Sequence, residues 1–179
     1  NYDVTESKIS VTPEGYNKSL FKPQPKSKID AVKDKYKIKG DYVLFIGTLQ
    51  PRKNIEKLIE AFKKVTEKEK NLSLVIAGKK GWLYESILTK ASDLKISDKV
   101  IYTNFVQEND LPALICGSKL YVLPSLWEGF GIPVVEAQAC GIPVAVSNTS
   151  SLPEIVNKSG LTFDPENAEE IASSILVLA

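Results

Sequence analysis

From Tyr42 onward, short runs of consecutive apolar residues alternate with segments whose apolar positions return every three or four residues. The runs Val43–Ile46, Leu74–Ala77, Val100–Tyr102, Leu120–Leu123 and Val144–Val146, with a weaker one at Leu161–Phe163, are rich in β-branched side chains and solidly apolar. That is the pattern of strands covered on both faces, because a strand with one wet face alternates apolar and polar positions. Between the runs, Ile55, Leu58, Ile59, Phe62 and Val65 form one stripe with Lys and Glu elsewhere, which predicts an amphipathic helix. Shorter stripes predict helices over Tyr84–Leu94, Leu111–Cys116, Val134–Ala139, Leu152–Val156 and Ala168–Leu178. Strand and helix in strict alternation make an α/β domain, an open parallel sheet doubly wound by right-handed crossovers with helices on both faces. Residues 1–40 are rich in Pro and Lys and only Ile9-Ser10-Val11 suggests a strand, so they read as a connector or the start of the domain, with the domain proper at 41–179.

In such a sheet ligands sit beyond the carboxyl ends of the strands, where loops feed helix N-termini. Three loops there are unusual: Gly47-Thr48-Leu49-Gln50-Pro51-Arg52-Lys53-Asn54, Gly78-Lys79-Lys80-Gly81 and Pro124-Ser125-Leu126-Trp127-Glu128-Gly129-Phe130-Gly131. All three are expected to open on one edge. Arg52 is the only arginine, and a guanidinium offers a fixed donor fork that matches phosphate oxygens. With Lys53 it reads either as an oxyanion clamp or as a helical pair to Glu56, the latter worth only about 0.3–0.5 kcal/mol. Gly129 and Gly131 flank Phe130 and allow a tight turn, and Pro133 suits the start of a helix, so the turn lies at a positive helix end. This is a cradle for a phosphate, with Glu128 before it and Glu136 in the expected first helical turn. Taken singly, Glu128 reads as an exposed loop charge and Glu136 as a dipole-favoured acid; a carboxylate near this point can also take a ribose diol. Gly78-Lys79-Lys80-Gly81 lacks the spacing of a Walker phosphate loop and reads as a turn with two solvated lysines.

Composition narrows the chemistry. Hydrophobic residues at 43% and charged residues at 25% fit an ordinary globular chain. The 23 basic and 22 acidic residues nearly cancel, so no net field favours nucleic acid or an anionic membrane. Histidine is absent, which removes a Ser-His-Asp triad, a His-ligated metal and an imidazole base from this chain. There is no Asp-x-Asp pair to hold a divalent cation on a diphosphate, and no metal or cofactor is expected. Cys116 and Cys140 form neither a CxxC motif nor a disulfide framework, so a reducing compartment is the expectation. No apolar run approaches the about 20 residues needed to span a bilayer. The chain starts at Asn1, and its last helical stripe runs to Ala179 without a stop signal, so both ends are expected to be cuts from a longer protein.

These motifs resemble the donor-binding half of glycosyltransferase family 4, enzymes of the GT-B fold built from two Rossmann-like halves. The resemblance runs from about Ile9 to the end through Phe45-Ile-Gly-Thr-Leu-Gln-Pro-Arg-Lys-Asn, Val75-Ile-Ala-Gly, Asn104-Phe-Val and the stretch Tyr121–Val144. That stretch holds the family's Glu-x7-Glu motif as Glu128 and Glu136. The resemblance implies that Arg52 and Lys53, with Gly47 and Thr48 in the same loop, bind the donor diphosphate. It implies that Glu136 binds ribose, that Glu128 with Gly129, Phe130, Gly131 and Ile132 meets the transferred sugar and phosphates, and that the base lies near Phe105 and Val106. Glu128, Arg52 and Lys53 are the catalytic candidates. One departure is that Thr48 stands where many members have arginine, and Asn54 where glycine follows the lysine. The implied reaction is metal-independent transfer of a hexose, with retention, from a GDP- or UDP-linked donor to a glycan or lipid acceptor. The motif's flavour is similar to mannosyltransferases that use GDP-mannose in polysaccharide biosynthesis. The implied partner is an N-terminal acceptor-binding domain of the same enzyme, and the implied location is the cytoplasm, with peripheral contact at the inner face of the membrane only through that missing half. The isolated chain is then expected to bind donor weakly without turnover. A nucleotide-sugar epimerase shares the architecture but depends on other acid/base carboxylates and histidine, and a non-catalytic nucleotide-binding module is the remaining alternative.

Overall fold

The computed structural model describes residues 5–179. Its centre is one sheet of six parallel strands in the order β3-β2-β1-β4-β5-β6. The strands are β1 (Asp41–Ile46), β2 (Leu72–Ala77), β3 (Val100–Asn104), β4 (Leu120–Leu123), β5 (Val144–Ser147) and β6 (Leu161–Phe163). The helices are α1 (Lys26–Lys35), α2 (Ile55–Lys68), α3 (Glu85–Asp93), α4 (Leu111–Cys116), α5 (Ile132–Ala139), α6 (Leu152–Val156) and α7 (Ala168–Leu178). All the solidly apolar runs are strands, and β4 and β5 are buried along their whole length. Each is sandwiched, which is why neither alternates.

The chain winds one way from β1 to β3 and the other way from β4 to β6, so right-handed crossovers place the two sets of helices on opposite faces. Accordingly α2 packs with α3 and α7, whereas α5 packs with α4 and α6, and α1 with α4. The stripe on α2 buries Ile55, Leu58, Ile59, Phe62 and Val65, each contributing about 1.5–3 kcal/mol of apolar burial. The Rossmann-like, doubly wound sheet is therefore as the alternation of elements requires.

Two readings of the first 40 residues need correction. Ile9-Ser10-Val11 is not a strand; Ile9 and Val11 are exposed and pair with nothing in the sheet. Of the two readings of the Pro- and Lys-rich stretch, the connector gives way to the start of the domain, because the stretch contains α1 and sends Phe21, Val32 and Ile38 into the core. Helix α1 has a narrow apolar stripe, with Val32 its one fully buried residue, and charged neighbours mask the period.

Strands β1 and β4 are neighbours whose following chains leave toward opposite faces. Their carboxyl ends thus flank the crevice that the doubly wound topology opens. The loops at 47–54 and 124–131 both rise from that crevice.

Candidate functional site

The first loop ends in a single 3-10 turn, Pro51–Lys53, closed by Asn54 in the left-handed conformation at φ 54°. Asn54 Nδ2 donates to the Pro124 carbonyl at 3.1 Å and the Pro165 carbonyl at 2.7 Å, and the Leu126 amide donates to the Arg52 carbonyl at 3.0 Å. Those bonds dock the turn on the loop after β4. Asparagine tolerates positive φ better than other side-chain-bearing residues, and here it adds two hydrogen bonds that glycine could not make.

The two cations meet one acid. Lys53 Nζ lies 2.5 Å from Glu128 Oε1 and Arg52 Nη1 lies 3.1 Å from Oε2, while Arg52 also donates to the Trp127 carbonyl. Ser125 Oγ donates to Glu128 Oε1 at 2.6 Å. Glu128 is therefore not an exposed loop charge; only 9% of it is accessible. Burial alone would push its pKa up, but hydrogen bonds from Lys53, Ser125 and Arg52 and the charge of Lys53 outweigh that and hold it below the usual carboxylate range. Arg52 does not pair with Glu56, whose carboxylate instead accepts from Ser86 Oγ at 2.6 Å. The guanidinium also sits over the Trp127 ring, 5.9 Å from its centroid.

Helix α5 begins at once after this cluster. Gly131 caps it at φ 104°, and a Cβ there would come within 2.8 Å of Leu152 Cδ2, so both backbone and packing require glycine. Gly129 carries no such demand, since a Cβ on it would meet nothing within 4 Å. Of the two glycines that flank Phe130, one makes the turn and the other leaves open space. Pro133 occupies the first turn as expected, and the exposed Ile132 opens the helix. Glu136, five residues into α5, lies past the first turn, so the dipole account of its position does not hold. It is half-buried, and its carboxyl is pushed up to about 7 by burial and then by the negative charge of Glu108. The fully buried Tyr121 feels both acids, its phenol raised well above its ordinary value by burial and by the charges of Glu128 and Glu136.

Beside the cations a cleft of about 250 Å³ is lined by Gly47, Thr48, Gly78, Lys79, Phe105 and Val106 among others. Gly78 is forced by proximity, because a Cβ would fall 1.8 Å from the Gly47 carbonyl oxygen. Phe105 is 59% exposed, Val106 is buried, and Lys79 Nζ stands 5.0 Å from the Phe105 ring centroid. Lys80 likewise lies over Tyr84, so both lysines of that turn rest on aromatic faces. A second groove of about 490 Å³ runs between Val11–Glu14 and Gly129-Phe130. The three loops do open on one edge, and the structure brings together Gly47, Thr48, Arg52, Lys53, Glu128 and the start of α5.

Residues 28–178 match the sequence profile of the family described as Glycosyl transferases group 1. The chain belongs to the group 1 glycosyl transferases. It is 38% identical over 136 residues to O-antigen chain mannosyltransferase B of Escherichia coli, an overlap of 75% of this chain and 36% of that protein. It is 28% identical over 180 residues to the GDP-mannose-dependent alpha-(1-6)-phosphatidylinositol monomannoside mannosyltransferase of Mycobacterium tuberculosis, covering 95% of this chain and 46% of that protein. Among solved structures, Anabaena HepE in complex with UDP and glucose superposes with a TM-score of 0.80 at 23% identity, over 91% of this chain and 45% of that one. The chain thus spans less than half the length of these relatives.

For a group 1 glycosyl transferase, the supporting residues are the ones that sequence reasoning missed. Ser150 Oγ accepts from the Glu128 amide at 3.0 Å, and Ser151 Oγ faces the Glu128 and Phe130 carbonyls at 3.2 and 2.9 Å. Both come from the connection between β5 and α6, more than twenty residues away in sequence. Only Ser125 carried a local signal, a small hydroxyl residue three positions before an acid.

Proposed function

We propose that this chain is the donor-binding half of a GT-B, family 4 hexosyltransferase that transfers mannose from GDP-mannose, with retention and without a metal, to a glycan or lipid acceptor. The observation that carries the reading is the convergence of Arg52 and Lys53 on Glu128 at the start of α5. Two cations gathered a few residues before a helix N-terminus offer donors for an anion. In the proposed complex the donor diphosphate lies there. Charge building on the departing diphosphate is stabilised by Lys53, by Arg52 and by the free amide of Ile132, the electrostatic work that a divalent cation does elsewhere. Arg52 supplies the guanidinium that Thr48 does not. Glu128 holds both cations in position before donor arrives and then faces the sugar together with Phe130. Glu136 accepts both ribose hydroxyls as a carboxylate, and the base rests in the cleft of Phe105 and Val106. The mannosyltransferase names of the relatives support the sugar, and the GDP-mannose-dependent relative supports the nucleotide. The acceptor and the far wall of the cleft belong to an N-terminal domain.

The test is a thermal-shift series on the purified chain with GDP, UDP, GDP-mannose and UDP-glucose. The guanosine ligands are expected to raise Tm and the uridine ligands to leave it near the apo value. Stabilisation by UDP and UDP-glucose alone would reverse the base and sugar assignment, and no response to any of the four would remove the donor reading.

A further inference from the structure

Neither cysteine takes part in the donor site, yet the fold brings the two together. Cys116 ends α4 and Cys140 follows α5, two helices that pack on each other. Both thiols are free and converge on one acceptor: Cys116 Sγ lies 3.6 Å and Cys140 Sγ 3.8 Å from the Lys22 carbonyl oxygen, and Cys116 Sγ is also 3.9 Å from the Cys140 carbonyl. Cys140 is 4% exposed whereas Cys116 is reachable from solvent. We infer that Cys116 and Cys140 are a reversible disulfide pair, in which peroxide attacks at Cys116 and Cys140 resolves the product.

The electrostatics assign the first attack to Cys116. A hydrogen bond from the Cys140 thiol lowers Cys116 below its ordinary value, against opposition from burial, and so favours the thiolate there. The same hydrogen bond, with burial, raises Cys140 well above its ordinary value and keeps its proton on. In the first step the Cys116 thiolate attacks a peroxide oxygen; the S–O bond forms, the O–O bond breaks, and the hydroxide released takes up a proton as water. The sulfur is oxidised by two electrons and the peroxide is reduced. In the second step the Cys140 sulfur attacks the Cys116 sulfur, the S–S bond forms, and hydroxide leaves with the Cys140 proton as a second water. The bond closes a covalent ring over residues 116–140, which encloses β4, the Glu128 loop and α5. This inference does not depend on the donor reading, because it uses none of those residues.

The experiment treats the purified chain with a small excess of hydrogen peroxide, removes the remainder with catalase, unfolds the protein and alkylates it with N-ethylmaleimide. The expected product is lighter by two hydrogen atoms, takes up no label, and regains two labels after dithiothreitol. Trypsin cuts between the cysteines at Lys119, so the peptides Val100–Lys119 and Leu120–Lys158 are expected to remain joined until reduction. In Cys140→Ala, the same treatment is expected to leave a sulfenic acid on Cys116 that dimedone traps. Two labelled thiols in the oxidised wild type would overturn the inference, as would sulfinic acid at either position without a link, or a dimer joined between chains.

Discussion

Lys53 is the residue on which the proposed anion site turns, because it is 13% exposed in its side chain and faces a carboxylate that is itself nearly buried. Removing it leaves Glu128 with Arg52 and Ser125 as partners. Lys53→Ala is therefore expected to cost about 2 kcal/mol, below the about 3–5 kcal/mol of a pair with no other support, and a urea unfolding series measures it. The glycines divide sharply. Gly131→Ala combines positive φ with the Leu152 contact and is expected to destabilise by about 1–3 kcal/mol, whereas Gly129→Ala is expected to stay within about 0.5 kcal/mol. If the two variants unfold at the same denaturant concentration, the division is wrong. Glu136 carries a pH signature whose sign can be worked out. Its unfolded pKa is near the ordinary value of about 4.3, and the folded value is raised to about 7. Between those values the folded state binds the extra proton, so this group's contribution to stability is complete at low pH and is lost as pH rises toward 7. Glu136→Gln is expected to flatten that fall and to unfold later than wild type at pH 8. Donor binding runs the other way, because only the carboxylate accepts both ribose hydroxyls. GDP affinity is expected to strengthen through neutrality in wild type and not in the Gln variant, as calorimetric titration at pH 6 and 8 would measure.

Among the elements, those with dense apolar runs or wide stripes were legible and those held by few contacts were not. Strand β4 is four buried residues in a row, and α2 has an unbroken stripe, so each announces itself locally. Helix α1 buries Val32 alone among ten residues, and Ile9-Ser10-Val11 has strand-like residues with no neighbouring strand to pair with. The site divides in the same way. Arg52, Lys53, Glu128 and Gly131 could be read from residue type and loop position. The serines at 150 and 151 could not, since their hydroxyls meet the loop of the neighbouring strand and leave no periodicity. Nor could the direction of Arg52, because its near neighbour Glu56 and its actual partner Glu128 are equally plausible until the loops are folded. Asn54 ties three of these elements together. Asn54→Ala loses both side-chain bonds and is expected to destabilise by about 1–3 kcal/mol. Asn54→Gly relieves φ yet loses the same bonds, so recovery of full stability in that variant would show that the tether carries nothing.

As a whole, the molecule is an open sheet whose functional edge is set by the reversal of winding between β1 and β4. Its opposite end carries an ordinary exposed ion pair, Lys119 with Asp41 at 3.2 Å, and among the described residues no helix is long and apolar enough to cross a membrane. The charges at the functional edge are thus concentrated rather than spread, with two cations sharing the Glu128 carboxylate four residues before α5 begins. On the proposed reading, in which the acceptor side of the cleft belongs to another domain, the chain alone is expected to give no detectable mannosyl transfer when supplied with donor and acceptor. Calorimetric titration of GDP into wild type, Lys53→Ala and the control Lys119→Ala, below the melting temperature of each, tests whether that cluster is where the diphosphate binds. Loss of one charged hydrogen bond, about 1.5–3 kcal/mol, is expected to weaken Lys53→Ala by about tenfold or more while Lys119→Ala matches wild type. Equal affinity in all three proteins would contradict the assignment of the diphosphate to Lys53 and the start of α5.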